Sequence, residues 1–300
     1  MRSRSRQMRT TSCSGAVISL MPAAYVRPGR ADHRRPRSTD WLTDRMHVTR
    51  IGLTPLKGAR HATLERVALG PSGPEGDRVF CLVEADRPHV LRTVDNPRML
   101  LVDAAWDGST LTVGAPGQGV VSEVPGATGE ELVCDYWGRD ARLEIMTSRH
   151  AQLLGRHLGR EVRLARTSRR GEVVYGAPVS IVTTGALASL SEQESARFRA
   201  TVTIDAERDP DPGTVLAVGG AVVRVRAAIP RCRVIDLDPT TGRLDRTHLA
   251  TLAGRPRPVG LLPFGVDADV LVPGTVLTGD RVAVTGGGWS EGQLASVVPS

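Results

Sequence analysis

The feature that most constrains this chain is the shortness of its apolar runs, which are cut again and again by glycine and proline. Clear interruptions stand at Gly70-Pro-Ser-Gly-Pro74, Trp106-Asp-Gly-Ser109, Gly219-Gly220, Asp238-Pro-Thr-Thr-Gly242 and Pro273-Gly274. Between them lie strand-like segments: Val48–Leu53, Thr63–Leu69, Arg78–Val83, Arg98–Asp103, Thr110–Val113, Arg197–Asp205, Thr214–Val218, Ala221–Val225, Val270–Leu277 and Arg281–Val284. Valine-rich segments of this length, joined by tight turns, favour barrel-like sheets over a parallel sheet flanked by helices. With 32 glycines, 20 prolines and 3% aromatic residues, the expected class is mostly β with a few short helices (α+β).

Helix signals are few. Residues 147–159 carry Thr147 or Ser148 as a cap and Gly159 as a stop, with His150 and His157 expected on a solvated face. Shorter helices are expected over Ala186–Glu194 and Thr247–Ala253. Gly114–Gly129 is glycine-rich and polar, and reads as a mobile loop whose glycines serve turns.

Length and charge narrow the classes further. A chain of 300 residues with 40% hydrophobic content can bury a sizeable core, in two domains or one large one. The net charge of +7 lies entirely in residues 1–45, where ten arginines face Asp32, Asp40 and Asp44, so the remainder is neutral. The neutral remainder excludes the electrostatic footprint of a nucleic-acid binder. Residues 1–45 read as a disordered extension or as sequence upstream of a start near Met46. No apolar run reaches 18 residues, so no membrane partner is expected.

The cysteines, Cys13, Cys81, Cys134 and Cys232, have neither metal-ligand nor redox spacing and are expected as free thiols in a reducing cytoplasm. Cys81 and Cys134 read as core. Cys232 differs, because it follows Pro230 and sits between Arg231 and Arg233. Guanidinium neighbours favour the thiolate. A regular strand would point both arginines away from the thiol, but Pro230 cannot donate to a ladder and signals a break just before it. A functional thiol and a buried small hydrophobe both remain open on this chemistry. Lys57 is the chain's only lysine beside 38 arginines, in Pro55-Leu-Lys-Gly58. A compact ammonium retained where a planar guanidinium would not serve suits phosphate binding, with a solvated surface lysine as the alternative.

The ordered set Arg197-Phe-Arg, Pro230-Arg-Cys232, Asp238-Pro-Thr-Thr-Gly242, Phe264-Gly265 and Pro273-Gly-Thr-Val-Leu-Thr-Gly-Asp280 resembles the MOSC domain, named for the C-terminal part of molybdenum cofactor sulfurase. Upstream, Pro55-Leu-Lys57, Gly76-Asp-Arg78 and Asn96-Pro97 are similar to the β-barrel domain that precedes MOSC in amidoxime-reducing proteins. The resemblance implies an N-terminal β-barrel domain over 46–145, a β-barrel-like MOSC domain over 146–285 and a tail over 286–300. It implies the molybdenum cofactor (molybdopterin), with Cys232 as metal ligand and catalytic centre. Lys57 and Arg78 would hold the pterin phosphate, and Arg199, Thr184, Gly185, Thr201, Pro230 and Arg231 would line the cofactor. Two positions depart from the amidoxime-reducing pattern: Gly58 replaces a serine, and Ala200-Thr201 replaces Pro-Asn.

Three functions follow from the resemblance. One is an oxidoreductase that reduces N-hydroxylated small molecules with electrons from a separate ferredoxin or flavoprotein reductase. The second is a sulfur carrier with a Cys232 persulfide, and the third is a cofactor-binding module without turnover.

Overall fold

The computed structural model describes residues 46–285, all within one compact unit. The expectations for residues 1–45 and for the tail 286–300 lie outside the described residues. Strands dominate, because each valine-rich run is stopped by a turn before a helix could form. The first half contains β1 (Val48–Leu53), β2 (Ala62–Leu64), β3 (Arg66–Gly70), β4 (Gly73–Pro74), β5 (Phe80–Glu84), β6 (Asp103–Trp106), β7 (Leu111–Ala115) and β8 (Gly119–Glu123). It continues through β9 (Gly126–Asp135), β10 (Asp140–Thr147), helix α1 (Arg149–Leu158) and β11 (Val162–Thr167). The second half contains β12 (Val179–Thr183), α2 (Thr184–Ala188), β13 (Val202–Ile204), β14 (Val215–Val218) and β15 (Ala221–Pro230). After α3 (His248–Ala253) come β16 (Pro263–Val272), β17 (Gly274–Leu277) and β18 (Val282–Thr285).

One eight-stranded sheet runs β18-β14-β15-β16-β12-β13-β1-β2, so β1 from the first half pairs with β13 from the second. Its strand ladder is open, but its ends approach each other. His47 bridges Arg281, Val282 donates its N–H to the Met46 carbonyl at 2.8 Å, and Gly279 donates to Val48 at 2.7 Å. The sheet therefore curls like a barrel around Val48, Ile51, Val179, Ile181, Val202 and Val223, all buried in one cluster.

A four-stranded sheet, β5-β11-β10-β9, and two three-stranded sheets, β17-β3-β4 and β6-β7-β8, complete the molecule. Strand alternation is clean where one face is wet, as at the start of β10, where Ala141 and Leu143 are buried while Asp140 and Arg142 are exposed.

Several expectations are borne out. α1 lies within 147–159 and stops at Gly159, whose left-handed φ of 71° lets its N–H close on the Gly155 carbonyl at 2.8 Å. Gly219-Gly220 turns β14 into β15, and α3 matches its expected span. Cys81 and Cys134 are buried.

Others need correction. Gly114–Gly129 is not a mobile loop, because β8 pairs with β7 and β9 with β10 through it, the glycines at 117 and 119 supplying positive φ at the hairpin turn. Arg98–Asp103 is not a strand: Pro97 opens a 3-10 turn through Leu101 before β6 begins. Thr63–Leu69 is two strands divided at Glu65, and Arg197–Asp205 contributes only β13. The α2 helix is short, ending at Ala188. His150 and His157 are buried rather than solvated. Their Nε2 atoms lie 2.7 and 2.9 Å from the carbonyls of Leu111 and Arg98, so both histidines stitch α1 to the first-half strands.

Candidate functional site

β1 ends in a tight loop that presents Lys57. The Lys57 N–H donates to the Phe80 carbonyl at 2.8 Å, and the Ala59 N–H closes a turn on Leu56 at 3.1 Å. Gly58 occupies that turn at φ +90°, a conformation costly for any side-chain-bearing residue, which accounts for glycine there. The ammonium donates to the Leu91 carbonyl at 2.9 Å and stands 5.4 Å from the centre of the Tyr136 ring.

Arg78 is laced to the same loop. Its N–H donates to Thr54 at 2.7 Å, its guanidinium pairs with Asp77, and Asp77 accepts the Thr54 N–H at 3.0 Å. Its backbone is left-handed, at φ +48°. Arg199 is left-handed too, at φ +54°, and closes the 3-10 turn Ser195–Phe198. That bend turns its guanidinium towards the Lys57 loop, where Nη1 donates to the Ala59 carbonyl at 2.8 Å.

A second chain of bonds leads to the thiol. β15 ends at Pro230, and the Arg231 guanidinium donates to the carbonyls of Phe264 at 2.6 Å and Phe198 at 2.9 Å. Gly265, at φ +71°, leaves room for that guanidinium, since a Cβ there would lie 2.8 Å from its Nη2. Cys232 follows as the exposed N-cap of the 3-10 turn Arg233–Asp236, with a free thiol. The strand break expected at Pro230 is therefore present.

Lys57, Arg78, Arg199, Arg231 and Cys232 thus belong to one connected neighbourhood. Burial lowers the Lys57 pKa to about 8, the charges of Arg78 and Arg199 push the same way, and Cys81 and, less strongly, Cys232 oppose them. Burial similarly lowers Arg199 to about 9 and Arg231 to about 10, again with Cys232 favouring the cations. Lys57, Arg199 and Arg231 are each half-buried, beside the exposed Cys232. Nη2 of Arg199 and Nη2 of Arg231 are buried without a hydrogen-bond partner. Buried donors of this kind are costly unless something accepts from them.

Thr184, Gly185 and Thr201 have protein partners instead. Thr184 Oγ1 donates to Asp205 at 2.9 Å, and the Gly185 N–H donates to Ala206 at 2.9 Å. A Cβ on Gly185 would sit 1.9 Å from the Glu207 carbonyl oxygen, so close approach of the 205–207 segment requires glycine. Thr201 is buried, and Ser180 engages both its hydroxyl, at 3.2 Å, and its N–H, at 3.0 Å. Pro230 pairs with Pro263 at the end of the ladder.

Sequence reasoning missed Asp209, Arg50 and His61. Asp209 accepts from the Thr183 N–H and hydroxyl at 3.0 and 2.9 Å and from Gly265 at 3.1 Å; burial raises its pKa, and these bonds and, less strongly, Arg231 oppose that rise. Burial drives His61 well below the usual histidine range, reinforced by Arg199, Arg50 and Arg78. Isolated acids and bases so far apart in sequence offer no local pattern, although Phe264-Gly265 marked the place where Asp209 docks. Among the described residues, no group of three or more His, Cys, Asp or Glu side chains could hold a metal ion. A metal at Cys232 would have to bring its other ligands with it.

Residues 45–161 match the MOSC N-terminal beta barrel domain, and residues 176–283 match the MOSC domain. Mitochondrial amidoxime reducing component 2 of Macaca fascicularis is 27% identical over 263 residues, covering 76% of this chain and 78% of that protein. Among solved structures, the YUAD protein of Bacillus subtilis is similar at 12% identity and TM-score 0.34, covering 79% of this chain and 93% of the other. YiiM of Geobacillus stearothermophilus is similar at 15% identity and TM-score 0.27, over 39% of this chain and 60% of the other.

Proposed function

Because the chain belongs to the MOSC family, with the family's N-terminal barrel domain ahead of its MOSC domain, we propose that it binds the molybdenum cofactor and reduces N-hydroxylated small molecules. The observation that carries this reading is the pair of buried, partnerless guanidinium nitrogens, on Arg199 and Arg231, in the same neighbourhood as an exposed thiol. Fixed cations with open donors fit an anionic phosphate and dithiolene, and a soft thiolate fits the metal. When bound, the cofactor supplies the two-electron chemistry that removes an oxygen atom from nitrogen.

The chain's own residues have separate tasks. Cys232, exposed at the start of the 3-10 turn, would hold the metal. Lys57 and Arg78 would hold the phosphate, and Arg199 and Arg231 would supply further donors to the anionic cofactor. Among the described residues, no helix is long and apolar enough to cross a membrane.

Protein purified from a cofactor-competent host is expected to contain molybdenum and pterin in equal amounts and to reduce benzamidoxime with an artificial donor. Bound cofactor without reduction would leave the binding-module reading. Metal-free protein with a persulfide on Cys232 would favour sulfur carriage and end the reductase reading.

Lys57 gives this proposal a pH signature. The free protein loses the Lys57 proton near pH 8, well below the ordinary lysine value of 10.5, whereas a bound phosphate would favour the charged form. The Lys57 contribution to cofactor affinity is therefore flat below pH 7 and falls as pH rises through 8, by up to about tenfold per unit. Lys57→Arg should bind with a flatter profile, and Lys57→Ala should lose occupancy while keeping its melting temperature. Full occupancy of Lys57→Ala at limiting cofactor would remove the lysine from the site.

A further inference from the structure

The turn Lys57-Gly58-Ala59 is where two of the candidate cations meet. The Lys57 ammonium reaches the Leu91 carbonyl at 2.9 Å, and the Arg199 guanidinium reaches the Ala59 carbonyl at 2.8 Å. Between them Gly58 carries no side chain. A Cβ there would lie 3.1 Å from the Thr93 hydroxyl oxygen, tighter than an ordinary contact, and 3.6 Å from the buried Met99 side chain. Thr93 therefore takes up part of the space that a side chain on residue 58 would need, and its hydroxyl faces the middle of the turn.

The backbone fixes that hydroxyl in place. The Leu91 N–H donates to Leu82 at 2.8 Å, and the Arg92 carbonyl accepts the N–H groups of Asp95 at 3.2 Å and Asn96 at 3.1 Å. The Asn96 side-chain amide donates to the same carbonyl at 3.0 Å, and the Asn96 N–H lies 3.1 Å from the Thr93 carbonyl. Residues 91–96 are thus a fastened bend leading into the 3-10 turn Pro97–Leu101, whose Met99 packs against Gly58. Thr93 is half-exposed, and among the described residues nothing accepts from its hydroxyl or donates to it. Thr184 and Thr201, by contrast, engage Asp205 and Ser180. An open hydroxyl beside the chain's one lysine is a donor in need of an acceptor.

We propose that Thr93 is a further binding residue of this site, its hydroxyl donating a hydrogen bond to the phosphate monoester held by Lys57 and Arg78. The proposal rests on the cofactor-binding reading above and adds to it a residue from outside the motifs that carried it. A phosphate dianion presents three terminal oxygens as strong acceptors. Lys57 already gives one N–H to Leu91, and Arg78 gives part of its guanidinium to Asp77. The hydroxyl adds a donor that Gly58, standing where a serine would be expected, cannot supply. Being neutral, it does so without adding to the mutual repulsion of Lys57, Arg78 and Arg199.

The test uses the full chain in two preparations, one from a cofactor-competent host at limiting cofactor supply and one from a host that makes no cofactor. The first is analysed for bound pterin, and the second is titrated with inorganic phosphate in a calorimeter at pH 7 and constant ionic strength. Thr93→Val keeps the shape and removes the donor. It should weaken phosphate binding by roughly tenfold, the loss expected for one hydrogen bond to a charged group, and lower pterin occupancy with it. Thr93→Ser should restore both, and the ligand-free melting temperature should be the same for all three proteins. Where the wild type holds pterin, equal occupancy in Thr93→Val overturns the proposal, as does a Thr93→Ser variant that holds no more than the valine variant. If the wild type holds no pterin, the cofactor reading fails and the phosphate titration alone decides Thr93. A tenfold difference then keeps the hydroxyl as a phosphate donor, and equal binding, or none by the wild type, removes it.

Discussion

Cys232→Ser is expected to lose its molybdenum and its benzamidoxime reduction together while folding as well as the wild type. The loss follows from ligand chemistry: a serine oxygen is a harder and far less acidic donor than a thiolate, and the described residues offer no cluster that could substitute. The preserved fold follows from position. The Cys232 side chain is exposed, makes no capping bond, and occupies the N-cap of the Arg233–Asp236 turn, where serine is at least as well suited as cysteine. Pterin should be retained in part, because Lys57, Arg78, Arg199 and Arg231 are untouched. Metal analysis, pterin fluorescence and a melting curve on one preparation separate these effects. Stoichiometric molybdenum in the variant would show that the metal is not held through Cys232.

The sequence made the strand-rich class readable because turn chemistry is local. Gly219-Gly220 and Gly159 each specify their turn or helix end without help from distant residues. The strand break before Cys232 was readable for the same reason, through Pro230, whereas the exposure of its thiol was left open between two readings. Burial of His150 and His157 was not, since it depends on carbonyls 39 and 59 residues away that accept their ring nitrogens. Thr201 shows the same limit within the candidate site. Its position in the motif suggested a group facing the cofactor, whereas Ser180, 21 residues earlier, engages its hydroxyl.

The two arginines of Arg197-Phe-Arg199 are alike in sequence and opposite in structure, which leads to the largest expected loss of stability. Arg197 is buried, pairing with Asp245 through two nitrogens at 2.7 and 3.0 Å, donating to the Leu237 carbonyl at 2.6 Å and lying 3.2 Å from Glu192. It ties the turn before Arg199 to the segment after Cys232. Arg197→Ala leaves Glu192 and Asp245 short of their partner and should cost about 3–5 kcal/mol. Arg199→Ala removes a cation with an unmet donor and should cost far less stability while lowering cofactor occupancy. The pH dependence identifies the mechanism. Burial raises the Glu192 pKa, but the N–H groups of Glu194 and Gln193, with His248 and Arg197, outweigh it and leave the carboxyl at about 2 against an ordinary 4.5. A depressed carboxyl pKa contributes stability that is complete above 4.5 and lost as pH falls towards 2. Arg197 is the smallest of these contributions, so Glu192 stays depressed in Arg197→Ala, and the gap between wild type and variant, measured by urea unfolding, should be full at pH 7 and narrow only in part as pH falls towards 2. Replacing the group together, as Arg197→Met with Glu192→Gln and Asp245→Asn, should recover part of the loss, because no charge is then left buried alone. Failure of that triple variant to recover any stability would mean that Arg197 acts by packing rather than by charge.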